Sequence, residues 1–363
     1  MAKPPTKSVR VRHAATLADV GREAGVSVMA ASAVLNGAKT SSRISDETRV
    51  RILAAAEKLR YRANATARAL VDRRMNTIGV ATTLSRNELN QYFLEVFNGV
   101  IETAAELGQN TTVFAMSDWK DSASRIPAIC DGRIDGLILL APLLDTEAAR
   151  FLPDHTPLVS VHANHELPNV VNLESDEESG AYEMVRRMLE LGHRRIMHIG
   201  GPPDYIGAMR RISGYLGAHA AAGIEPPADY IVPGDFTSAS GRRGLEEWLL
   251  RHRGDVLPQA IFAANDAVAM GCLETLAGRG LRTPADISVV GFDDTMIART
   301  AHLATVRQPL REMGHRAVQL LMDRIEAKHQ DTAYRLPTNI VLPTEIVLGQ
   351  SLAAPRAKPL VIS

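Results

Sequence analysis

Apolar residues near the start of the chain recur at the spacing of a short helix. Leu17, Val20 and Ala24 fall on one helical face. Thr16 is placed to cap this helix at its N-terminus, and Gly25 is placed to end it. The pattern therefore predicts a first helix of about two turns.

Two more helices are predicted before residue 60. Ser27 is placed to cap a helix that runs to about Asn36, and Gly37 follows as a stop. A basic loop comes next, and Ser45 is placed to cap a third helix. We expect the buried stripe of this third helix to consist of Val50, Leu53, Ala54 and Leu59.

The rest of the chain alternates between short apolar runs and longer amphipathic segments. The apolar runs predict strands at residues 77–82, 111–116, 135–141, 157–161, 195–199, 259–263 and 287–291. The amphipathic segments predict helices at residues 91–107, 177–191, 238–252, 265–277 and 310–327. Such alternation is typical of parallel sheets covered on both faces by helices. Residues 76–350 are more than a single sheet with its covering helices usually contains, so we expect an α/β body of two lobes.

Composition supports a globular chain without membrane or disulfide chemistry. Hydrophobic residues make up 45% and charged residues 23% of the 363 positions, with only two cysteines. No apolar run approaches the roughly 18 residues that cross a membrane. The N-terminus is basic and lacks the apolar core of a secretory signal. We therefore expect a cytoplasmic protein.

The formal net charge of zero hides a strong asymmetry. Residues 1–75 hold 15 of the 41 Lys and Arg but only six of the 41 Asp and Glu, which leaves the remainder correspondingly acidic. A basic head of this size suggests a polyanion partner, and a solvated basic face is the plainer alternative. Two short helices joined at residues 24–26, followed by a third, are the layout of a helix-turn-helix. In that layout the second helix enters the major groove, with Val28, Met29, Ser32 and Ala33 facing outward.

Four motifs, in order and at matching spacing, resemble the lactose repressor (LacI/GalR) family. They are Thr16–Ser27 (TLADVGREAGVS), Val34–Gly37 (VLNG), Ile44–Arg49 (ISDETR) and Tyr61–Leu70 (YRANATARAL). The resemblance extends from residue 14 to residue 351. It implies an all-α helix-turn-helix head with a hinge helix, followed by a two-lobed effector domain like the periplasmic sugar-binding proteins.

The resemblance also implies roles in DNA binding. Val28 and Met29 stand where the family reads base edges, and Asn36 and Arg49 where it holds the DNA backbone. Residues 64–71 correspond to a hinge helix that folds on the operator, with Leu70 as a wedge in the minor groove. The full set expected to bind DNA is Thr16, Ser27, Val28, Met29, Ser32, Ala33, Asn36, Arg49, Tyr61, Asn64, Arg68 and Leu70.

Two residues depart from the family pattern. Most relatives carry Arg at the position of Ala33. That arginine can make a bidentate contact with guanine, which is worth about 1–3 kcal/mol of discrimination against other bases. Apolar Val28, Met29 and Ala33 suit thymine methyl groups instead. Ala63 stands where relatives usually have Pro, so the third helix is freer to run toward the hinge.

By the same resemblance, six residues line an effector pocket between the lobes. Ligands of such sheets bind at the carboxyl ends of the strands. Tyr92 and Phe236 correspond to aromatic walls, and Phe93 stands beside Tyr92. A partly structural role in the core is the alternative for Phe93. Arg211, Asn265 and Asp293 correspond to the polar groups. This set suits a sugar or sugar acid, and it also suits a nucleobase. Asp266, Asp294 and Asp176 fit capping roles better than ligand contact.

Domain boundaries follow from these assignments. We expect a flexible basic extension at residues 1–15, the DNA-binding domain at 16–62, the hinge at 63–75, the effector and dimerisation domain at 76–350, and a tail at 351–363. Within the effector domain, lobe 1 comprises about 76–173 and 304–335, and lobe 2 about 174–303 and 336–350. The tail contains two prolines and no leucine heptads, so a tetramerising coiled coil is not expected.

Neither catalysis nor a metal site is indicated. The paired imidazoles of His162 and His165 lack an evident third ligand, and the adjacent carboxylates Asp293 and Asp294 do not show the facing pair of a glycosidase. No cofactor is expected. We predict a homodimeric, nucleoid-associated repressor that binds a pseudo-palindromic operator and responds to a small molecule. A solute-binding protein with a vestigial head and a sugar-processing enzyme are the competing classes.

Overall fold

The computed structural model describes residues 14–36, 44–62, 74–83, 90–330, 332, 337 and 339–362. The chain divides into two compact units, Met1–Asn76 and Thr77–Ser363. We call the described part of the first unit the head and the second unit the body. Most of the expected basic extension and hinge segment lies outside the described residues. No helix in the described ranges is long and apolar enough to cross a membrane.

The head contains three helices, which are α1 (Leu17–Ala24), α2 (Val28–Asn36) and α3 (Asp46–Lys58). Local side chains set their ends. The Thr16 hydroxyl accepts from the backbone N–H of Asp19, whose carboxylate accepts from the backbone N–H of Thr16, forming a capping box. Gly25 ends α1 in the left-handed conformation, and Ser45 caps α3. The predicted helix boundaries therefore arise from contacts within three or four residues.

The buried face of α3 differs from the predicted stripe. Ile52, Ala55 and Ala56 pack into the head core, whereas Val50 is 65% exposed and Leu53 is also exposed. Two positions along a helix correspond to a rotation of about 200°, so a stripe displaced by two residues faces nearly the opposite way. Ile52 and the two alanines therefore face α1 and α2, whereas Val50 and Leu53 face away from them.

The first lobe of the body is a six-stranded parallel sheet in the order β11-β5-β4-β3-β1-β2. Its strands are β1 (Thr77–Thr83), β2 (Asn110–Met116), β3 (Gly136–Leu140), β4 (Leu158–Val161), β5 (Val171–Ser175) and β11 (Asn339–Leu342). The long helices α4 (Gln91–Glu106) and α13 (Leu310–His329) pack on one face. The other face is covered by the short helices α5 (Trp119–Ser122), α6 (Ile126–Ile129) and α7 (Thr146–Ala149).

The second lobe is built around a four-stranded parallel sheet in the order β7-β6-β8-β9. Its strands are β6 (Ile196–Ile199), β7 (Ile231–Val232), β8 (Ala260–Ala263) and β9 (Ser288–Val290). Helices α8 (Glu177–Glu190) and α9 (Ile206–Ala221) cover one face. Helices α10 (Ser238–Arg251) and α11 (Asp266–Gly278) cover the other, and α12 (Met296–Thr300) follows β9.

The lobe boundaries near the C-terminus differ from the expected ones. Strand β11 pairs in parallel with β5, so this part of the expected second lobe belongs to the first sheet. Conversely, β10 (Thr305–Arg307) pairs antiparallel with β12 (Glu345–Val347), and Val306 packs in the second lobe. The chain therefore crosses from the second lobe to the first between β10 and α13, and back to the second lobe between β11 and β12.

Residues 351–362 are an integral part of the second lobe rather than a separate tail. The Ser351 hydroxyl donates to the carbonyl of Val289 at 2.6 Å and accepts from the backbone N–H of Ala304 at 2.8 Å. The backbone N–H of Leu257 donates to the carbonyl of Leu360, and Ile362 is buried in the core. The expected boundary at residue 350 is therefore wrong, because this segment covers an apolar face of the lobe.

Candidate functional site

A cavity of about 140 Å³ lies between the two lobes of the body. The first lobe contributes Tyr92, from the first turn of α4, and His162 and Asn164, from the segment after β4. The second lobe contributes side chains from the start of α8, which follows β5 of the first sheet, and from the loops and helices that follow its own strands. These are Glu177, Tyr205, Arg211, Phe236, Asn265, Asp293 and Thr295. The cavity thus lies where ligands of parallel α/β sheets bind.

A buried ion pair forms the polar centre of the cavity. Arg211 donates from Nη2 to Oε1 of Glu177 at 2.7 Å and from Nη1 to the carbonyl of Ala264. Its guanidinium lies over the ring of Phe292, 4.1 Å from the centroid, and 5.4 Å from the centroid of Phe236. Aromatic faces on a guanidinium stabilise its charge where water is excluded. Arg211 is therefore held in one orientation by groups of this chain.

A chain of hydrogen bonds links the first lobe to this ion pair. The backbone N–H of Ser175 donates to Nε2 of His162 at 3.1 Å, which leaves the proton of the neutral ring on Nδ1. Nδ1 lies 2.7 Å from the hydroxyl of Tyr92 and donates to its oxygen. The proton of the Tyr92 hydroxyl is then available to another acceptor. The Ser175 hydroxyl donates to Gln308, whose amide donates to Oδ1 of Asp293 at 2.5 Å.

Burial changes the acid–base behaviour of these groups. It lowers the pKa of His162, which favours the neutral ring just described. Burial raises the pKa of Asp293 to about 7, although the charge of Arg211, 3.5 Å from Oδ1, opposes the shift. Burial also raises the pKa of the neighbouring Asp266 carboxyl. Asp293 therefore changes protonation near neutral pH, so it accepts or donates depending on its partner.

Asn265 and Asp266 hold the second wall of the cavity in place. Asn265 caps α11 by accepting from the backbone N–H of Val268 at 2.9 Å, and its amide donates to the carbonyl of Phe236 at 3.1 Å. Phe236 has a backbone φ of 64°, a conformation that this hydrogen bond helps to hold. Asp266 is fully buried and accepts from Thr295 and Thr305, so its role is structural, but the helix cap expected of it is supplied by Asn265.

Three polar contacts join the lobes around the cavity. Asn164 donates to the carbonyl of Asp204 and accepts from the backbone N–H of Ile206 at 3.2 Å. Arg210 pairs with Glu174 at 3.0 Å, and Arg299 pairs with Glu95. These contacts hold this arrangement of the lobes, and any change in lobe orientation must break some of them.

In the head, α2 presents apolar side chains to solvent at its N-terminal end. Met29 is 69% exposed and Val28 is exposed, whereas Ala31 is buried against the other helices. The hydroxyl of Ser27 accepts from the backbone N–H of Ala30 at 3.2 Å. A helix that buries one face and presents its first turn is suited to insertion into the major groove.

Two family models match the chain. One describes bacterial regulatory proteins of the lacI family and covers residues 16–64, and the other describes a periplasmic binding protein-like domain and covers residues 185–352. The transcriptional regulator CelR of Thermobifida fusca is 31% identical over 94% of this chain and 99% of its own length. The transcriptional repressor PurR of Escherichia coli O139:H28 is 30% identical over 93% of this chain and 97% of its own length.

This chain belongs to the LacI family. Solved structures agree with the family assignment. The lac repressor dimer bound to operator and the anti-inducer ONPF matches with a TM-score of 0.77 at 28% identity, covering 94% of this chain and 100% of that chain. A complex of CelR with cellobiose matches with a TM-score of 0.68 at 29% identity, covering 93% of this chain and 99% of that chain.

As a LacI-family protein, the chain is a transcriptional repressor with a DNA-binding head and an effector-binding domain. The predicted family and fold class are confirmed by the family models and the solved structures. The relatives are named as transcriptional repressors and regulators, which confirms the prediction that the chain is not an enzyme. Within the described ranges, no group of three or more His, Cys, Asp and Glu side chains is placed to hold a metal ion.

Five of the six predicted effector residues of this LacI-family protein line one cavity. They are Tyr92, Arg211, Phe236, Asn265 and Asp293. Phe93 does not line it, so that prediction is wrong: Phe93 is 3% exposed and stacks on Phe97 with ring centroids 5.2 Å apart. Consecutive residues on a helix point about 100° apart. Because Tyr92 faces the cavity, Phe93 faces the core.

The predicted DNA-binding residues divide by exposure. Thr16, Ser27, Val28, Met29 and Arg49 are exposed, whereas Ser32, Ala33, Asn36 and Tyr61 are half-buried. The amide of Asn36 donates to the hydroxyl of Ser32 at 3.4 Å, and Tyr61 packs against the head core. Asn64, Arg68 and Leu70 lie outside the described residues, so their roles stay predictions.

Sequence reasoning missed Glu177, His162, Asn164 and Tyr205 as lining residues. Glu177 comes two residues after β5, a strand that was not predicted because its sequence, Val171–Ser175, mixes apolar and polar side chains. The rule that ligands bind at carboxyl ends of strands would have found Glu177 once this strand was recognised. His162 and Asn164 follow the predicted strand at 157–161, so the same rule applies to them.

Proposed function

We propose that this LacI-family repressor binds a pseudo-palindromic operator as a homodimer, and that a small sugar or sugar acid bound between the lobes controls its operator affinity. The observation that carries this proposal is the cavity itself, lined from both lobes by aromatic side chains and by hydrogen-bonding groups. A ligand that contacts both lobes has different contacts in each lobe orientation. Such a difference is what couples binding to a conformational equilibrium.

The lining favours a sugar. Phe236 offers an apolar ring face, on which the C–H face of a pyranose packs. Tyr92 offers a hydroxyl proton, while Glu177 and Asp293 offer oxygens that accept from sugar hydroxyls. Cellobiose is bound by CelR in the similar solved structure. A nucleobase is the second candidate, because a ring that stacks on Phe236 also presents N–H groups to Asp293.

For the head, we propose that α2 reads base edges with Val28, Met29, Ser32 and Ala33. Their mainly apolar character favours contacts with thymine methyl groups over a bidentate contact with guanine. Thr16, Ser27, Asn36, Arg49 and Tyr61 are assigned to backbone contacts. Asn64, Arg68 and Leu70 are assigned to a hinge helix in the minor groove, with Leu70 as the wedge. This repressor acts in the cytoplasm, where the operator lies.

Selection of genomic DNA fragments on the full-length protein, followed by sequencing, tests the first half of the proposal. We expect an enriched pseudo-palindrome near uptake or catabolic genes. The enriched operator is then titrated with the protein in the presence of single sugars and nucleobases, and binding is followed by fluorescence anisotropy.

A sugar that changes operator affinity at least about tenfold, a typical coupling of about 1.4 kcal/mol, supports the second half. A response to nucleobases alone favours the second candidate. Uniform binding to all fragments, with a steep dependence on salt, would instead identify the chain as a solute-binding protein with a vestigial head.

A further inference from the structure

One carboxylate oxygen in the cavity has no hydrogen-bond partner within the described chain. Glu177 is 2% exposed, and its Oε1 is bonded to Arg211, whereas its Oε2 is buried without a hydrogen bond. Nη1 of Arg210 lies 3.9 Å from Oε2 and is already bonded to Glu174 at 3.0 Å. A buried acceptor without a partner is costly, so a ligand that donates a hydrogen bond to Oε2 gains affinity.

Glu177 is ionised in this setting. Burial favours the neutral carboxyl, but the charge of Arg211 and its hydrogen bond outweigh that effect and hold the pKa below its ordinary value. The carboxylate also lies close to the backbone of α9, because a side-chain carbon at Gly207 would stand 2.6 Å from Oε1. The glycine in the first turn of α9 thus leaves room for a carboxylate at the cavity wall.

The positive charge of Arg211 is balanced by the carboxylate of Glu177, so it is not available to an acidic ligand. Among the described residues that line the cavity, it is the sole Lys or Arg side chain, and its Nη2 is paired with Glu177. The imidazole of His162 is neutral, as its lowered pKa requires. A carboxylate or phosphate entering the cavity would have to displace Glu177 from Arg211, which would leave a buried carboxylate without its counter-charge.

We infer that the effector is uncharged and donates a hydroxyl or N–H hydrogen bond to Oε2 of Glu177, and that Glu177 excludes carboxylated and phosphorylated sugars. This inference rests on the proposed function and narrows its ligand class from sugars and sugar acids to neutral sugars. Glu177 is then the specificity-determining residue of the cavity, because it neutralises the arginine that would otherwise attract an acid.

Matched pairs of ligands test the wild-type protein. Full-length protein is titrated by calorimetry with neutral mono- and disaccharides, with the corresponding aldonic and uronic acids, and with the sugar phosphates. We expect neutral members to bind at least about tenfold more tightly than their acidic counterparts, since contact between like charges in a buried site opposes binding. Uracil and its carboxylated form, orotate, extend the same comparison to nucleobases.

The variant Glu177→Gln tests the residue itself, with Glu178→Gln as a matched control. Glu178 is the next residue in the chain and is exposed, so its substitution makes the same change of charge outside the cavity. In Glu177→Gln, Arg211 loses its counter-charge and the amide donates where Oε2 accepted. We expect the preference for neutral over acidic members to fall at least about tenfold or to reverse, whereas Glu178→Gln keeps the wild-type preference.

Four outcomes decide the matter. Acids that bind wild-type protein as tightly as their neutral partners overturn the inference and leave the proposed function standing. An unchanged preference in Glu177→Gln, in a variant that still binds operator as wild type does, overturns the role of Glu177. Neutral sugars that bind without altering operator affinity support the inference and overturn the proposed coupling. If no member of the panel binds, both the sugar proposal and the inference fall.

Discussion

The exposed face of α2 in the head and the cavity in the body differ in how their residues are brought together. Val28 and Met29 are adjacent in the chain and are presented by one helix whose caps are local. In the cavity, Arg211 and Glu177 are 34 positions apart, and Gln308 lies 133 positions from Ser175. Residues of the surface that we assign to DNA can therefore be substituted one at a time without disturbing their neighbours. In the cavity, substituting one residue also changes the contacts of its partners.

The two regions also differ in chemistry. The presented residues of α2 are apolar and exposed, so substituting them leaves the fold of the head intact. The cavity buries a carboxylate and a guanidinium against each other, so removing one of them affects both ligand binding and folding. If this contrast is right, variants in the head change DNA binding alone, and variants in the cavity change effector response and stability together.

The largest expected effect is that of Arg211→Ala. Loss of the guanidinium leaves the buried charge of Glu177 uncompensated, which costs about 3–5 kcal/mol. We expect a lower melting temperature for the body and no effector response, while operator binding persists at temperatures where the body is folded. The double variant Arg211→Met with Glu177→Gln removes both charges, so it should regain most of the lost stability. A single variant as stable as wild type would contradict the account of a buried, coupled pair.

Leu70→Ala should have the next largest effect, and this effect should fall on operator binding. If Leu70 is the minor-groove wedge, its truncation weakens operator binding by about 2 kcal/mol, or roughly thirtyfold, and leaves effector affinity unchanged. Fluorescence anisotropy with the selected operator measures the first quantity, and calorimetry measures the second. Val71→Ala is the matched control. Equal operator affinity in wild type and Leu70→Ala would remove Leu70 from the interface.

The third prediction concerns pH. Because burial raises the pKa of Asp293 to about 7, its contribution to stability is complete below the ordinary pKa of an aspartate and is lost as pH rises through about 7. We expect wild-type protein to lose stability between pH 5 and 7 relative to Asp293→Asn, by at most about 1.4 kcal/mol per pH unit. Thermal melts across this range give the comparison.

Asp286→Asn serves as the control for the pH series. The hydrogen bonds from Arg282 lower the pKa of Asp286 to about 2, so this carboxyl stays ionised in both states over the whole range. The difference between Asp286→Asn and wild type should thus be constant from pH 5 to 7. Parallel melting curves for wild type and Asp293→Asn would show that Asp293 does not titrate in this range.

The smallest expected effect is that of Met29→Ala. Its side chain is exposed, so we expect a change in stability within about 0.5 kcal/mol. Loss of an apolar contact with a base should weaken binding to the selected operator by about 1 kcal/mol without affecting non-specific binding. Leu53→Ala, which truncates an exposed residue of α3, is the control. A loss of the same size on random DNA would show that Met29 does not read sequence.

Much of the head and part of the body could be predicted from local patterns. Each of the three head helices begins at a side-chain cap that bonds a backbone N–H three residues later, and the apolar runs at 135–141 and 259–263 became β3 and β8. Of the stripe predicted for α3, Leu59 packs against the head core, but Val50, Leu53 and Ala54 are exposed, because apolar spacing alone does not say which of two faces meets the neighbouring helices. Strand β5 was missed because Asn172 and Glu174 interrupt its apolar pattern.

Sequence alone determined the alternation of strands and helices in the body, the basic head, the family and five of the lining residues. Those signals are contacts between near neighbours, counts of charge, or motifs at fixed spacing. Only the tertiary structure decided that Phe93 belongs to the core, that residues 351–362 complete the second lobe, and that Glu177 neutralises Arg211. These facts depend on which distant segments meet, because a buried charge is stabilised by the particular partner that the fold brings within hydrogen-bond distance.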